Sequence, residues 1–166
     1  GGLLLLSNGN YVVGAAGWSH GVGAITWGNG TTGVSGVVSA ANSLVGSTTG
    51  DSIGSGGMTQ LSATGNVLVV SPQWTNGGAG TNVGAVTWGS GAAGVRGVVS
   101  SANSLVGSTP GDSVGSGGII ELSGGHYLVL SPDWSNGGAA SAGAVTVGSS
   151  DGGVSGAVSA ANSAVG

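Results

Sequence analysis

Cysteine, lysine and phenylalanine are all absent from this 166-residue chain. Without cysteine there is no disulfide framework, no thiolate metal site and no thiol nucleophile. Without lysine, Arg96 stands alone as a cation against Asp51, Asp112, Glu121, Asp133 and Asp151, for a net charge of −4. A single cation can neither neutralise a phosphate backbone nor hold a polybasic contact with anionic lipid, which excludes nucleic-acid and membrane-surface partners of that kind. Long apolar runs are missing too. Leu3 to Leu6 falls far short of the roughly 20 residues a spanning helix needs, and no basic stretch precedes it. Neither membrane insertion nor an intact secretory precursor is expected.

What the chain has in quantity is glycine, 40 residues of it. In aperiodic sequence that abundance signals disorder, but this chain has a period. Gly23-Ala24-Ile25-Thr26-Trp27-Gly28 returns as Gly84-Ala85-Val86-Thr87-Trp88-Gly89 and as Gly143-Ala144-Val145-Thr146-Val147-Gly148, at spacings of 61 and 59. The tripeptide Ala41-Asn42-Ser43 recurs at Ala102 to Ser104 and Ala161 to Ser163 with the same offsets. Trp18, Trp74 and Trp134 recur in the same order, separated from the Gly-Ala-Val/Ile-Thr segment by loops of different length. Three tandem units result, at 1–56, 57–117 and 118–166. The third lacks the tail seen as Ser47 to Gly54 and Ser108 to Gly115, so the chain reads as a window on a longer array.

Within a unit, Gly118 to Leu122 and His126 to Ser131 flank Ser123-Gly124-Gly125, the pattern of a hairpin with a glycine-containing turn. Tyr127-Leu128-Val129-Leu130 is a continuous apolar run, as a strand covered on both faces would be, and Pro72 and Pro132 end such runs. The Gly-Ala-Val-Thr-Trp segment makes a third strand, and a turn at Asn29-Gly30 or Ser90-Gly91 leads to a fourth beginning near Val34 or Val95. No stretch keeps helical spacing of apolar residues free of glycine, each of which costs a helix about 1 kcal/mol. The expected fold is all-β: three four-stranded units like β-propeller blades, packed face to face, with a β-solenoid or fibre-forming β array as the alternative.

The order Asp112-x-Val114-Gly115, Gly118 to Leu122, turn, Tyr127 to Pro132, Gly143-Ala144-Val145-Thr146 resembles the FG-GAP blades of integrin-type propellers. It is also similar to repeats of very large bacterial secreted surface proteins. That resemblance implies an extracellular or cell-surface setting. Calcium-binding members carry aspartates in the first hairpin, an oxygen cage suited to a hard cation. Here the turn reads Ser7-Asn8-Gly9, Ser62-Ala63-Thr64-Gly65 or Ser123-Gly124-Gly125, so no metal and no cofactor is expected.

Some motifs invite chemistry. Gly28-Asn29-Gly30-Thr31-Thr32-Gly33 and Gly89-Ser90-Gly91-Ala92-Ala93-Gly94 match the dinucleotide fingerprint, which works only where a helix follows, and a β pattern follows here. Gly17-Trp18-Ser19-His20-Gly21, Gly50-Asp51-Ser52-Ile53-Gly54 and Gly111-Asp112-Ser113-Val114-Gly115 match the nucleophile elbow, but glycine- and serine-rich sequence produces such matches by chance. Asp51 and Asp112 recur and are expected to cap turns, as are Asn42, Asn103 and Asn162. No enzyme is expected.

The candidate ligand residues are Trp18, Trp74 and Trp134, with His20, Asn76 and Asn136 two positions later in each unit. An aromatic platform beside an amide suits a sugar, while a large ring is also what fills the space between glycine-rich sheets. The leading expectation is a structural or adhesive repeat protein that self-associates into a ring or filament, since open ends of an arc of blades expose apolar surface and unpaired strand edges. A glycan-binding propeller, with one site per unit, is the second.

Overall fold

The computed structural model describes residues 1–78 and 81–166, and its regular secondary structure is almost entirely short strands. In chain order these are β1 (Gly2–Leu5), β2 (Tyr11–Ala15), β3 (Ala24–Gly28), β4 (Ser43–Val45), β5 (Gly57–Gln60), β6 (Val67–Ser71), β7 (Ala85–Gly89), β8 (Gly97–Val98), β9 (Ser104–Val106), β10 (Gly118–Glu121), β11 (Tyr127–Ser131), β12 (Ala144–Gly148), β13 (Gly156–Ala157) and β14 (Ser163–Val165). The only helical pieces among the described residues are one-turn segments at Trp18–Gly21 and Ser123–Gly125, each containing a residue with left-handed backbone angles. Among the described residues no helix is long and apolar enough to cross a membrane.

Each unit forms one antiparallel meander: β1-β2-β3-β4, β5-β6-β7-β9 and β10-β11-β12-β14. The hairpins sit where turn chemistry puts them, and the register is the same in all three, with Tyr11 facing Gly28, Val67 facing Gly89 and Tyr127 facing Gly148. A hydroxyl pair, buried in the second unit and partly buried in the other two, ties the third meander strand to the fourth: Thr26 with Ser43 at 2.7 Å, Thr87 with Ser104 at 2.7 Å, and Thr146 with Ser163 at 2.6 Å. Each of these groups satisfies the other, which removes the cost of burying a lone hydroxyl.

The three sheets stack face to face. One apolar cluster joins Val12, Ile25 and Leu44 of the first sheet to Val67, Val69 and Val106 of the second; another joins Leu68, Val70 and Val86 of the second to Tyr127, Val129 and Ala144 of the third. Because neighbouring strand residues point to opposite faces, Val67 and Val69 fill one cluster while Leu68 and Val70 fill the other.

One expectation needs correction. The segment after the Ser90-Gly91 turn does not supply its own unit's fourth strand. That strand is β9, some ten residues later, and the segment near Val95 instead crosses to the preceding sheet. There β8 pairs parallel with β4, Leu44 to Gly97 and Val45 to Val98. In the same way β13 pairs parallel with β9, Leu105 to Gly156 and Val106 to Ala157. Two residues alone carry too little pattern to reveal their partner, and the choice is made by the packing of Val99 and Val158 into the clusters between sheets.

Candidate functional site: the junction between units

Several features that the repeats share meet at the junction between one sheet and the next. Its polar centre is a buried aspartate. Asp51 Oδ2 accepts the Ser47 and Thr48 N–H groups at 2.7 and 2.9 Å, closing the tail of its own unit into a turn. Its Oδ1 reaches into the following unit and accepts the Thr75 N–H at 3.0 Å and the Thr75 hydroxyl at 2.6 Å. Asp112 repeats the device, with Oδ2 on Ser108 and Thr109 and Oδ1 on the Ser135 N–H at 3.0 Å. Turn capping is therefore half of what these carboxylates do. The other half joins two units, and it was hidden in the sequence because Thr75 and Ser135 lie more than twenty residues downstream.

Beside each aspartate, the tail wedges an aliphatic side chain between two sheets. Ile53 and Val114 are wholly buried. Gly84 makes this possible, since a Cβ there would collide with the Val114 backbone, while its φ of +77° lies in the left-handed region. The tail then enters the next unit through Gly54 N–H on Ser71 Oγ at 3.0 Å, and Gly115 N–H on Ser131 Oγ at 3.1 Å.

The predicted ligand residues fall on this junction unequally. Trp74 and Trp134 are buried members of the two apolar clusters, and their indole N–H groups face no acceptor. Neither ring has a face open to a sugar, so they fill space between glycine-rich sheets. Trp18 is half-buried, in the one-turn segment where Ser19 and His20 both have positive φ. His20, Asn76 and Asn136 are exposed. Asn136 donates to the Gly166 carbonyl at 2.9 Å. The three positions do not build one repeated site, and a glycan platform is left with Trp18 as its single accessible ring.

Other residues of the repeat do more. Trp27 lies over the next unit, where its indole N–H donates to the Gly91 carbonyl at 3.1 Å. Its Cβ occupies the space a side chain at Gly94 would need, and Trp88 takes the same seat over Gly153. Asn10 and Asn66 act as staples. Asn10 accepts the Gly30 N–H of its own unit and donates to Gly91 of the next, at 3.0 and 3.2 Å. Asn66 accepts Gly91 N–H and donates to the Ser150 carbonyl, at 3.1 and 3.0 Å. The signal was available in the repeat comparison, which shows asparagine in two units and His126 in the third.

Two titrating groups report on the same junctions. Burial pushes the Tyr127 hydroxyl up to about 12, against a smaller pull from a hydrogen bond with the Val154 backbone. The Glu121 carboxyl is lowered, chiefly by backbone hydrogen bonds from Ser62 and Ala63 of the preceding unit. The fingerprint-like glycines prove to be tight turns, bridged Asn29 to Gly33, Ser90 to Gly94 and Ser149 to Gly153. Among the described residues no three His, Cys, Asp or Glu side chains come together.

No curated protein resembles the chain closely enough to count as a match. Three successive segments, 5–55, 61–116 and 121–166, each match one family, described as Repeat of unknown function (DUF5650). With those matches spread over all three sheets, the chain belongs to that repeat family.

Proposed function

We propose that the protein is a non-catalytic structural repeat of the cell exterior, with sheets that act like the blades of an FG-GAP-type propeller and assemble into a ring or filament. The observation that carries this reading is where large apolar side chains remain exposed. Leu3, Leu5, Val13 and Val34 lie on the outer face of the first unit, at the positions where Met58, Gln60, Val69 and Val95 meet a preceding unit. Ile120, Leu122, Val145 and Val147 lie on the outer face of the third, at positions where Leu4, Leu6, Ile25 and Trp27 meet a following one. Leu5 is 72% exposed and Val147 is 58% exposed. Contiguous apolar surface of this kind marks an interaction site.

The side surface supports the same reading. With six charged residues in 166, little electrostatic repulsion opposes close packing of copies. Light scattering over a concentration series, with electron microscopy of the particles, tests the proposal. Growth into rings or fibres is expected, and a lone monomer up to millimolar concentration would sink it.

A further inference from the structure

The first and third units carry the separated halves of a junction that the chain builds twice between its units. In the first internal junction Gly97-Val98 lies along β4 and Val99 N–H donates to the Val45 carbonyl at 3.0 Å. In the second, Gly156-Ala157 lies along β9 and Val158 N–H donates to the Val106 carbonyl at 3.0 Å. The equivalent segment of the first unit, Gly36-Val37-Val38, pairs with no strand among the described residues. Val37 is 88% exposed and Val38 N–H has no backbone partner among the described residues. At the other end β14 is the edge of its sheet, paired with β12 alone.

The unpartnered donor segment already has the shape of its paired counterparts. Asn42 accepts the Ser39 N–H at 3.0 Å and donates to the Val37 carbonyl at 3.1 Å. Asn103 does the same with Ser100 and Val98, and Asn162 with Ser159 and Ala157. The backbone follows suit, with φ of +99° at Gly36, +112° at Gly97 and +98° at Gly156. A segment held in its bound form before binding loses little entropy on docking. The seat for the preceding unit is open too. Gly94 and Gly153 lie under Trp27 and Trp88, whereas the nearest neighbour that a Cβ at Gly33 would meet is its own unit's Tyr11 hydroxyl at 3.9 Å.

We infer that β14 of one copy takes Gly36-Val37 of a second copy as a parallel fifth strand, in the register Ala164 to Gly36 and Val165 to Val37, with Val38 N–H on the Val165 carbonyl and Val147 seated over Gly33. This rests on the assembly reading above and specifies its interface. The contact is head to tail, so one copy's donor always meets another's acceptor. Such an interface closes into a ring if the rotation per unit allows and otherwise runs on as a filament. It also covers both apolar faces at once, which a pairing of two like ends would not.

The test uses two single variants of the whole chain. Val38→Pro removes the donor N–H while leaving the acceptor end intact. Val147→Lys places an ammonium on the exposed acceptor face and leaves the donor intact. Sedimentation velocity is measured on each variant alone and on their mixture, with thermal melts confirming that both remain folded. Either substitution is expected to raise the concentration for half-assembly about tenfold or more. The equimolar mixture, in which one intact donor meets one intact acceptor, is expected to give dimers and nothing larger. If the native chain stays monomeric, the assembly reading and this interface fall together. If the native chain assembles and both variants assemble as well as it does, the assembly reading stands and this docking is wrong. Should Val38→Pro prove unfolded, Val37→Asp, at the exposed neighbouring position, takes its place with the same expected outcome.

Discussion

The middle unit and the end units carry nearly the same sequence pattern and live in different environments. Val67, Leu68, Val69, Val70 and Ser71 are all buried, whereas along Tyr127–Ser131 buried and half-buried residues alternate, and Val13 in β2 is exposed. The strands are equivalent in register, so the difference comes from neighbours alone. A central sheet has two, an end sheet one. Stability in such a stack is a sum of unit and interface terms, and each unit's share depends on how many interfaces it enters.

That comparison can be broken most directly in the core. Leu68 is fully buried between the second and third sheets, and its counterpart Leu128 on the third is only half-buried. Leu68→Ala is expected to cost about 3 kcal/mol by urea denaturation, and Leu128→Ala less than about half of that. Equal losses would mean that the third sheet's outer face is as well covered as an inner one. Such coverage would arise if the measurement were made on assembled material, so a dilution series separates the two cases.

The polar latch is expected to come next. Asp51→Ala leaves the Thr75 N–H and hydroxyl without their partner inside a closed junction, for an expected loss of about 2 kcal/mol. Asp151→Ala, at an exposed turn of the third unit, is expected to leave the melting temperature unchanged. A null effect at Asp51 would show that the junction is held by apolar packing without help from the carboxylate.

The smallest expected effect is a pH dependence. Because the Tyr127 hydroxyl is raised to about 12 by burial, the folded state keeps its proton over a range in which the unfolded chain releases it. The contribution is fully present below pH 10 and is lost as the pH rises from about 10 to about 12. Tyr127→Phe should flatten that limb of the stability curve, and an unchanged alkaline limb would place the titration elsewhere.

Several layers of the structure were legible in one dimension. Hairpins followed from glycine-containing turns, the strand ends at Pro72 and Pro132 from the missing N–H, and the turn role of Asn42, Asn103 and Asn162 from the reach of a short amide. These are local effects, decided within about five residues. The candidate site was less legible. Trp74 and Trp134 look alike in sequence whether they face a ligand or a neighbouring sheet, since burial is a property of what lies opposite. Asp51 shows a turn motif, and nothing in its surroundings in sequence announces Thr75.

The number of units, their period, their strand content and their scarcity of charge belong to the sequence by itself, because repetition and backbone preference are written residue by residue. Which sheet receives Gly97-Val98, which side chains lie between two sheets, and which of three equivalent strands keeps a bare edge were decided only in the tertiary structure. The reason is that strand pairing and the removal of water act between surfaces, and a surface acquires its partner only when the units stack.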